Sequence, residues 1–306
     1  MKSRVLDAAK GLLIEWNRLM ASGRNLTTLA VPFAGQKVSR QHSESGIDMT
    51  EQARAADGTR NLEHQRREKD GIVYFDRGVM EGAQGRRYRR LAIQTHFVKP
   101  HEDAAELITR YVRPLYQPGD VLSFGAKVLG MCVGSVKTRE QVKPGFWARA
   151  LYRFAGHNST GIGMHEPYKL QMTIDIAGLP RVLLATFLSA LTKPFGVKGV
   201  FYKVCGHDIA GIDGFYPDSD FKEYHELAVI NPPDAAKVCT RLAWQTGIPV
   251  VAMDANDFHR NQLGKSEGFP LSDEQIQEAM RDNPSGQGRE LTPFILLRML
   301  DKDQQE

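Results

Sequence analysis

Cysteine is scarce in this chain. Cys132, Cys205 and Cys239 are the only three among 306 residues. Their odd number, uneven spacing and lack of a C-x-x-C pair exclude a disulfide framework and a structural zinc site, and predict a reducing, cytoplasmic environment. Long apolar runs are missing too. The longest, Val182 to Leu191, is about half the ~20 residues a bilayer demands, and Lys193 and Pro194 follow it, so no transmembrane helix is expected. The first twenty residues carry Asp7, Lys10, Glu15 and Arg18, which interrupt the apolar stretch of a secretory signal, so the segment is expected to stay on the protein. Phosphate-binding signatures are wanting as well. His259 stands where the first glycine of a P-loop ending in Gly264-Lys265-Ser266 belongs, and Glu166 replaces the third glycine of a dinucleotide fingerprint begun by Gly161-Ile162-Gly163. His225-Glu226 has no second histidine four residues on, which excludes a zincin.

What remains is an ordinary globular composition, 42% hydrophobic and 25% charged, with enough chain for one large domain or two smaller ones. Charge is uneven. Residues 1–90 hold 17 Lys and Arg against 11 Asp and Glu, while the remainder is slightly acidic. Val5, Ala8, Leu12, Leu13, Trp16 and Leu19 recur at helical spacing and predict an amphipathic helix that docks on the protein, on a partner subunit or on a membrane surface. Residues 35–70 are polar and aperiodic, which reads as a linker, so 1–90 is taken as an extension and 91–306 as the main domain. The run Arg86 to Arg90 reads as a solvated charged edge or a weak phosphate site, and no nucleic-acid motif accompanies it.

The predicted fold class is α+β, with a mixed, partly antiparallel sheet and packed helices. Strands are expected at Leu91 to Val98, Val121 to Val128, Gly199 to Val204 and Ile248 to Met253. Helices are expected at Glu102 to Val112, Pro144 to Phe154, Val238 to Thr246 before Gly247, and from the Ser272 cap to about Arg281. Arg181 to Leu191 is a buried helix or strand, and Phe294 to Leu300 is a last apolar segment.

Three turns rich in acids or amides adjoin apolar stretches. They are Gly206 to Gly214 with Asp213, then Asp254-Ala255-Asn256-Asp257, and Asp282-Asn283-Pro284-Ser285-Gly286-Gln287-Gly288-Arg289. Each alone is explained as a cap or turn. Together they suggest a site for Mg²⁺ or Mn²⁺, hard cations that take oxygen ligands and bridge to phosphates.

Several motifs in order resemble the coenzyme F-420 γ-glutamyl ligase family, over Thr95 to Arg298. They are Thr95-His96 with Glu102-Asp103, Gly119-Asp120-Val121-Leu122 leading to Lys127, and Gly161-Ile162-Gly163, then Gly199-Val200-Phe201-Tyr202-Lys203, Gly211-Ile212-Asp213-Gly214, Asp254-Ala255-Asn256-Asp257 and Asp282 to Gln287. The resemblance implies that family's ligase fold, a homodimer, and a nucleotide-dependent amide ligase using GTP or ATP and attaching L-glutamate through its α-amine to an acyl phosphate. It implies Asp213 and Asp254 as metal ligands essential for catalysis, to which the reading of the turns adds Asp257. Phe215-Tyr216-Pro217 after the first turn and Ala255-Asn256-Asp257 in the second depart from the deazaflavin enzymes and resemble a bacterial branch proposed to glutamylate folates. The coenzyme acceptor is therefore folate-type or deazaflavin-type. Lys127, Lys203 and Arg289 are candidates for nucleotide phosphates, Lys203 because a lysine buried in an apolar strand needs an anionic partner. Arg281, Asn283 and Gln287 are candidates for nucleotide or acceptor. Two alternatives stand beside this reading: an inactive ligase-like protein that binds an anionic partner through residues 1–90, and a metal-dependent phosphatase or nucleotide hydrolase.

Overall fold

The computed structural model describes residues 65–154, 164–195, 197, 199–206, 209, 211–215, 222–255, 260–285 and 290–300. The expected N-terminal helix and nearly all of the expected linker lie outside them, as does Gly161-Ile162-Gly163. The described residues fall into two compact units, one comprising 65–143 and 211–300, the other 144–154 and 164–209.

The first unit is built on a seven-stranded sheet: β1 (Arg66–Lys69), β2 (Ile72–Glu81), β3 (Arg87–Ile93), β4 (Val121–Gly125), β8 (Val250–Ala255), β9 (Arg260–Lys265) and β10 (Phe294–Leu300). Their spatial order is β1-β2-β3-β10-β4-β8-β9. All neighbours are antiparallel except β4 and β8, which run parallel with Leu122 opposite Val250 and Gly125 opposite Met253. The α+β expectation holds. A second, three-stranded sheet joins β5 (Val136–Thr138), β7 (Leu227–Val229) and β6 (Asp213–Gly214) in that order.

Strand alternation divides the apolar residues between the faces of the large sheet. Leu91, Ile93, Leu122, Phe124, Val250, Ala252, Phe294 and Leu296 pack with Leu107, Leu129, Cys239 and Leu242. These come from α1 (Ala104–Leu107, continued by a π-helical turn Ile108–Val112), α2 (Ala126–Cys132) and α8 (Ala235–Thr246). On the opposite face Val121, Val251, Met253, Ile295 and Leu297 meet Ile276, Ala279 and Met280 in and just after α9 (Asp273–Ala279). The signals that start and stop these helices are local. Ser272 and Gln275 form a capping box at α9, and Gly247, at φ +71°, closes α8. Gly264 of β9 lets the strand lie against α8, since a Cβ there would stand 2.4 Å from the Ala236 nitrogen.

Several expected boundaries move. The strand expected at Leu91 to Val98 spans Arg87–Ile93, and that expected at Val121 to Val128 ends at Gly125, which places Lys127 in the first turn of α2. β1, β2 and the front of β3 belong to the large sheet, so the division expected after residue 90 falls inside β3. Of the basic run 86–90, residues 87–90 are strand, with Arg90 97% buried. Arg90 Nη2 donates to Asp282 Oδ2 at 3.1 Å and to the Arg77 carbonyl at 2.9 Å, and its Nη1 also meets Asp282. A bulge between Asp76 and Val79 accompanies a second anchor. Arg77 pairs with Glu290, donates to the Pro284 carbonyl at 2.9 Å and meets Gln65 at 2.7 Å. Both ends of the 282–290 segment are thereby tied to β2 and β3.

The second unit is helical: α3 (Phe146–Leu151), α4 (Pro167–Ala177), α5 (Leu179–Thr192) and α6 (Val200–Cys205). Val182, Ala185, Leu188, Val204 and Cys205 are among its buried residues, and Arg181 to Leu191 is helix. The strand expected at Gly199 to Val204 is helix α6, with Gly199 and Gly206 at its caps. Lys203 is exposed on it rather than buried in a strand. Among the described residues no single helix is long and apolar enough to cross a membrane. α7 (Glu223–Glu226), in the first unit, is a single turn leading into β7.

Candidate functional site

The carboxyl ends of two adjacent parallel strands are where α/β sheets usually leave a crevice for ligands, because the chain departs from the sheet on both sides. Here β4 and β8 end together, and each delivers one charged side chain. Beyond Gly125 the chain turns into α2 and presents Lys127, while Asp254 is the penultimate residue of β8. A register shift between Ala252 and Met253 precedes Asp254. Such bulges re-aim the side chains that follow them.

Lys127 Nζ lies 3.5 Å from Asp254 Oδ2, and both side chains are about one-quarter exposed, at 22% and 24%. The pair is within reach of a ligand and dry enough to matter. Lys127 also donates to the Gly211 carbonyl at 2.5 Å and to Asn231 Oδ1 at 2.8 Å. Asn231 completes the arrangement by donating Nδ2 to Asp254 Oδ2 at 3.2 Å. Among the described residues both contacts on Asp254 fall on Oδ2, which leaves Oδ1 for another ligand.

Gly211 lies close under the Asn231 side chain. A Cβ there would stand 2.3 Å from Asn231 Nδ2. Two residues on, Asp213 opens β6 opposite Val229, and its Oδ1 accepts from the Gly214 nitrogen at 2.9 Å. Gly214, at φ +106°, brings β6 against β7 so closely that a Cβ would meet the Leu227 carbonyl at 2.3 Å. The first and second turns singled out in the sequence are therefore joined by Lys127 and Asn231. Burial, followed by the carboxylates of Asp213 and Glu223, pushes the Tyr224 hydroxyl up to about 12, so this phenol keeps its proton at neutral pH.

A cavity of about 110 Å³ is lined by His96, Phe97, Val128, Met131, Tyr224 and Pro293 among others, and none of Lys127, Asp213, Asn231 and Asp254 lines it. His96 is held from both sides, Nε2 at 2.8 Å from Glu102 and Nδ1 at 2.7 Å from the Tyr111 hydroxyl. Burial raises the Glu102 carboxyl, but the Lys99 backbone N–H and His96 outweigh it and leave its pKa lowered.

None of the other expected site residues is among these contacts. Lys203 belongs to the helical unit. Arg281 is exposed and touches Met80 Sδ at 3.2 Å. Asn283 is buried, at φ +49°, in the anchored segment after α9. Asp257, Gln287 and Arg289 lie outside the described residues. Among the described residues no three His, Cys, Asp or Glu side chains gather as a metal-binding group. Asn231 was not singled out from the sequence, although its place before Pro232-Pro233-Asp234, after an apolar strand, marks a rigid turn. No family model matches the chain, and no curated protein matches it.

Substituting Gly211 with alanine tests the cluster directly. The new methyl must displace the Asn231 amide, a movable side chain, rather than backbone. Activity is expected to fall about 10–100-fold, as when the partner orienting a ligand is removed. The melting temperature should change far less than in Gly264→Ala, where the clash is with backbone. Equal effects of both changes on stability, with activity spared, would show that Asn231 does not organise the site.

Proposed function

We propose that the chain is a nucleotide- and metal-dependent γ-glutamyl ligase. The observation that carries this reading is the Lys127–Asp254 pair, bridged by Asn231 at the carboxyl ends of β4 and β8 and tied to the turn of Asp213. An ammonium beside carboxylates is the combination that a triphosphate with its cation calls for, since lysine meets phosphate oxygens and carboxylates meet the ion.

The donor chemistry fits Mg²⁺ or Mn²⁺. Asp213 and Asp254 offer hard oxygen atoms, and Mg²⁺ characteristically takes one or two carboxylates and completes its shell with water and phosphate. Asp213 and Asp254 would hold the ion, joined by Asp257. When bound, it would neutralise charge on the transferring phosphoryl group. Lys127 would exchange part of its contact with Asp254 for a nucleotide phosphate, while Asn231 keeps the Asp254 carboxylate aimed.

In this reading an acceptor carboxylate attacks the terminal phosphorus of GTP or ATP, and the nucleoside diphosphate leaves. The glutamate α-amine then attacks the acyl carbon, inorganic phosphate departs, the nitrogen loses a proton and a γ-linked amide remains. The motif resemblance supports a folate-type or deazaflavin-type coenzyme acceptor and a homodimer, and the sparse, unpaired cysteines support a cytoplasmic location.

The test is to incubate the protein with Mg²⁺ or Mn²⁺, GTP or ATP, labelled L-glutamate and a panel of folates and deazaflavins. The expected product is an acceptor heavier by one glutamyl unit. Nucleotide cleavage indifferent to glutamate and to every acceptor would instead assign a hydrolase. No cleavage and no product under any combination would sink the ligase reading.

A further inference from the structure

The helical unit exposes large apolar side chains that its own core does not use. Phe187 is 63% exposed, Leu191 48% and Ile176 43%, and Phe146 and Trp147 on α3 are exposed as well. α5 shows why. Its inner stripe, Val182, Ala185, Leu188 and Thr192, is buried. Its outer stripe, Leu183, Phe187 and Leu191, lies at i, i+4 and i+8, with Ala190 alongside. Arg181 is the sole charged residue in its sequence, LPRVLLATFLSALT. A helix apolar on all sides is ordinarily buried in a core or in contact with lipid, and this one has one side turned outward.

Charge decides between possible occupants. Arg149, Arg153, Lys193 and Lys203 are exposed on this unit, against Asp175 as the one exposed acid among its described residues. A two-fold contact with a second copy would bring two units of like charge together. An anionic headgroup layer would be attracted to it. Trp147 on α3, and Lys193 directly after α5, are the residue types that settle at a headgroup boundary. Neither helix is long enough to cross alone: α4 and α5 have 11 and 14 residues against the ~20 a crossing needs, and they meet at a bend of 117°.

We propose that the outer face of α5, together with the basic residues of its unit, docks this protein on an anionic lipid surface. The face would lie in the headgroup region with Phe187 and Leu191 inserted among acyl chains. This inference does not depend on the ligase reading.

The experiment is co-sedimentation of the full chain with vesicles of phosphatidylcholine alone, or of phosphatidylcholine and phosphatidylglycerol in equal parts. Binding to the anionic vesicles is expected to exceed that to neutral ones by about tenfold and to weaken as salt is raised. Phe187→Asp with Leu191→Asp should reduce it by about tenfold, with an unchanged circular dichroism spectrum. Lys193→Glu, a surface change that leaves the apolar stripe intact, should lower binding to anionic vesicles only. Trp244→Asp, on α8 of the other unit, should have no effect. Undiminished binding of the double variant would assign the membrane contact to some other segment, such as residues 5–20, and overturn the proposal. It is equally overturned if no vesicle binds, or if the wild type is a dimer that the double variant converts to monomer without any vesicle binding.

Discussion

Replacing Asp254 with asparagine is expected to lower glutamylation turnover by at least about 100-fold while leaving the protein folded. Removing a group that merely orients a metal ligand costs about 10–100-fold, and in the proposed ligase Asp254 would be the ligand itself. Stability should scarcely respond. Asparagine keeps the shape, and Lys127 retains the Gly211 carbonyl and Asn231 Oδ1 when the charge at 254 is lost. A part-exposed ion pair of this kind contributes about 1 kcal/mol or less. Asp213→Asn is expected to behave alike. Turnover at the wild-type rate in either variant removes the proposed ion site. A collapse of the melting transition would instead make the carboxylate a structural group.

The largest effect on stability is expected from Arg77→Met. Arg77 and Glu290 have side chains only 4% and 5% exposed. Methionine would leave the Glu290 carboxylate buried without its guanidinium and would strip the Pro284 carbonyl of its donor, at a cost of about 3–5 kcal/mol. The matching double change, Arg77→Met with Glu290→Leu, replaces both charges by apolar groups and should recover much of that loss. Urea denaturation measures it, as a lower midpoint with an unchanged slope for the single variant. If the double variant is no more stable than the single one, the pair is not what anchors the 282–290 segment.

The contrast between these sites explains what was legible in the sequence. β8 and β10 announce themselves as short apolar runs because both faces of the sheet are covered. The Ser272 cap and Gly247 mark helix ends through contacts within a few residues. β1 gave no such signal: its Arg-Arg-Glu-Lys is exposed throughout, the usual condition of a charged edge strand. β3 was obscured by its arginines, since Arg90 is made tolerable in the interior by Asp282, 192 residues away. α6 was misread because Val200-Phe201-Tyr202-Lys203-Val204 has strand-forming composition, and β-propensity yields to packing when only Val204 and Cys205 need burial. At the site, Asp254 stood out as a carboxylate at a strand end. Asn231 did not, because its role comes from contacts with Lys127, 104 residues distant, and Asp254, 23 residues distant.

The position of β10 bears on how the molecule is made. Leu296 lies opposite both Leu91 and Leu122, so residues 294–300 are the wedge that joins the two halves of the sheet. Until the ribosome has released that segment, β3 and β4 each offer an unsatisfied backbone ladder and an open apolar flank. A nascent chain in this condition is a natural client for chaperones and is prone to pair with its neighbours. A chain truncated just before residue 294 should therefore collect in the insoluble fraction, whereas the chain carrying β10 should not.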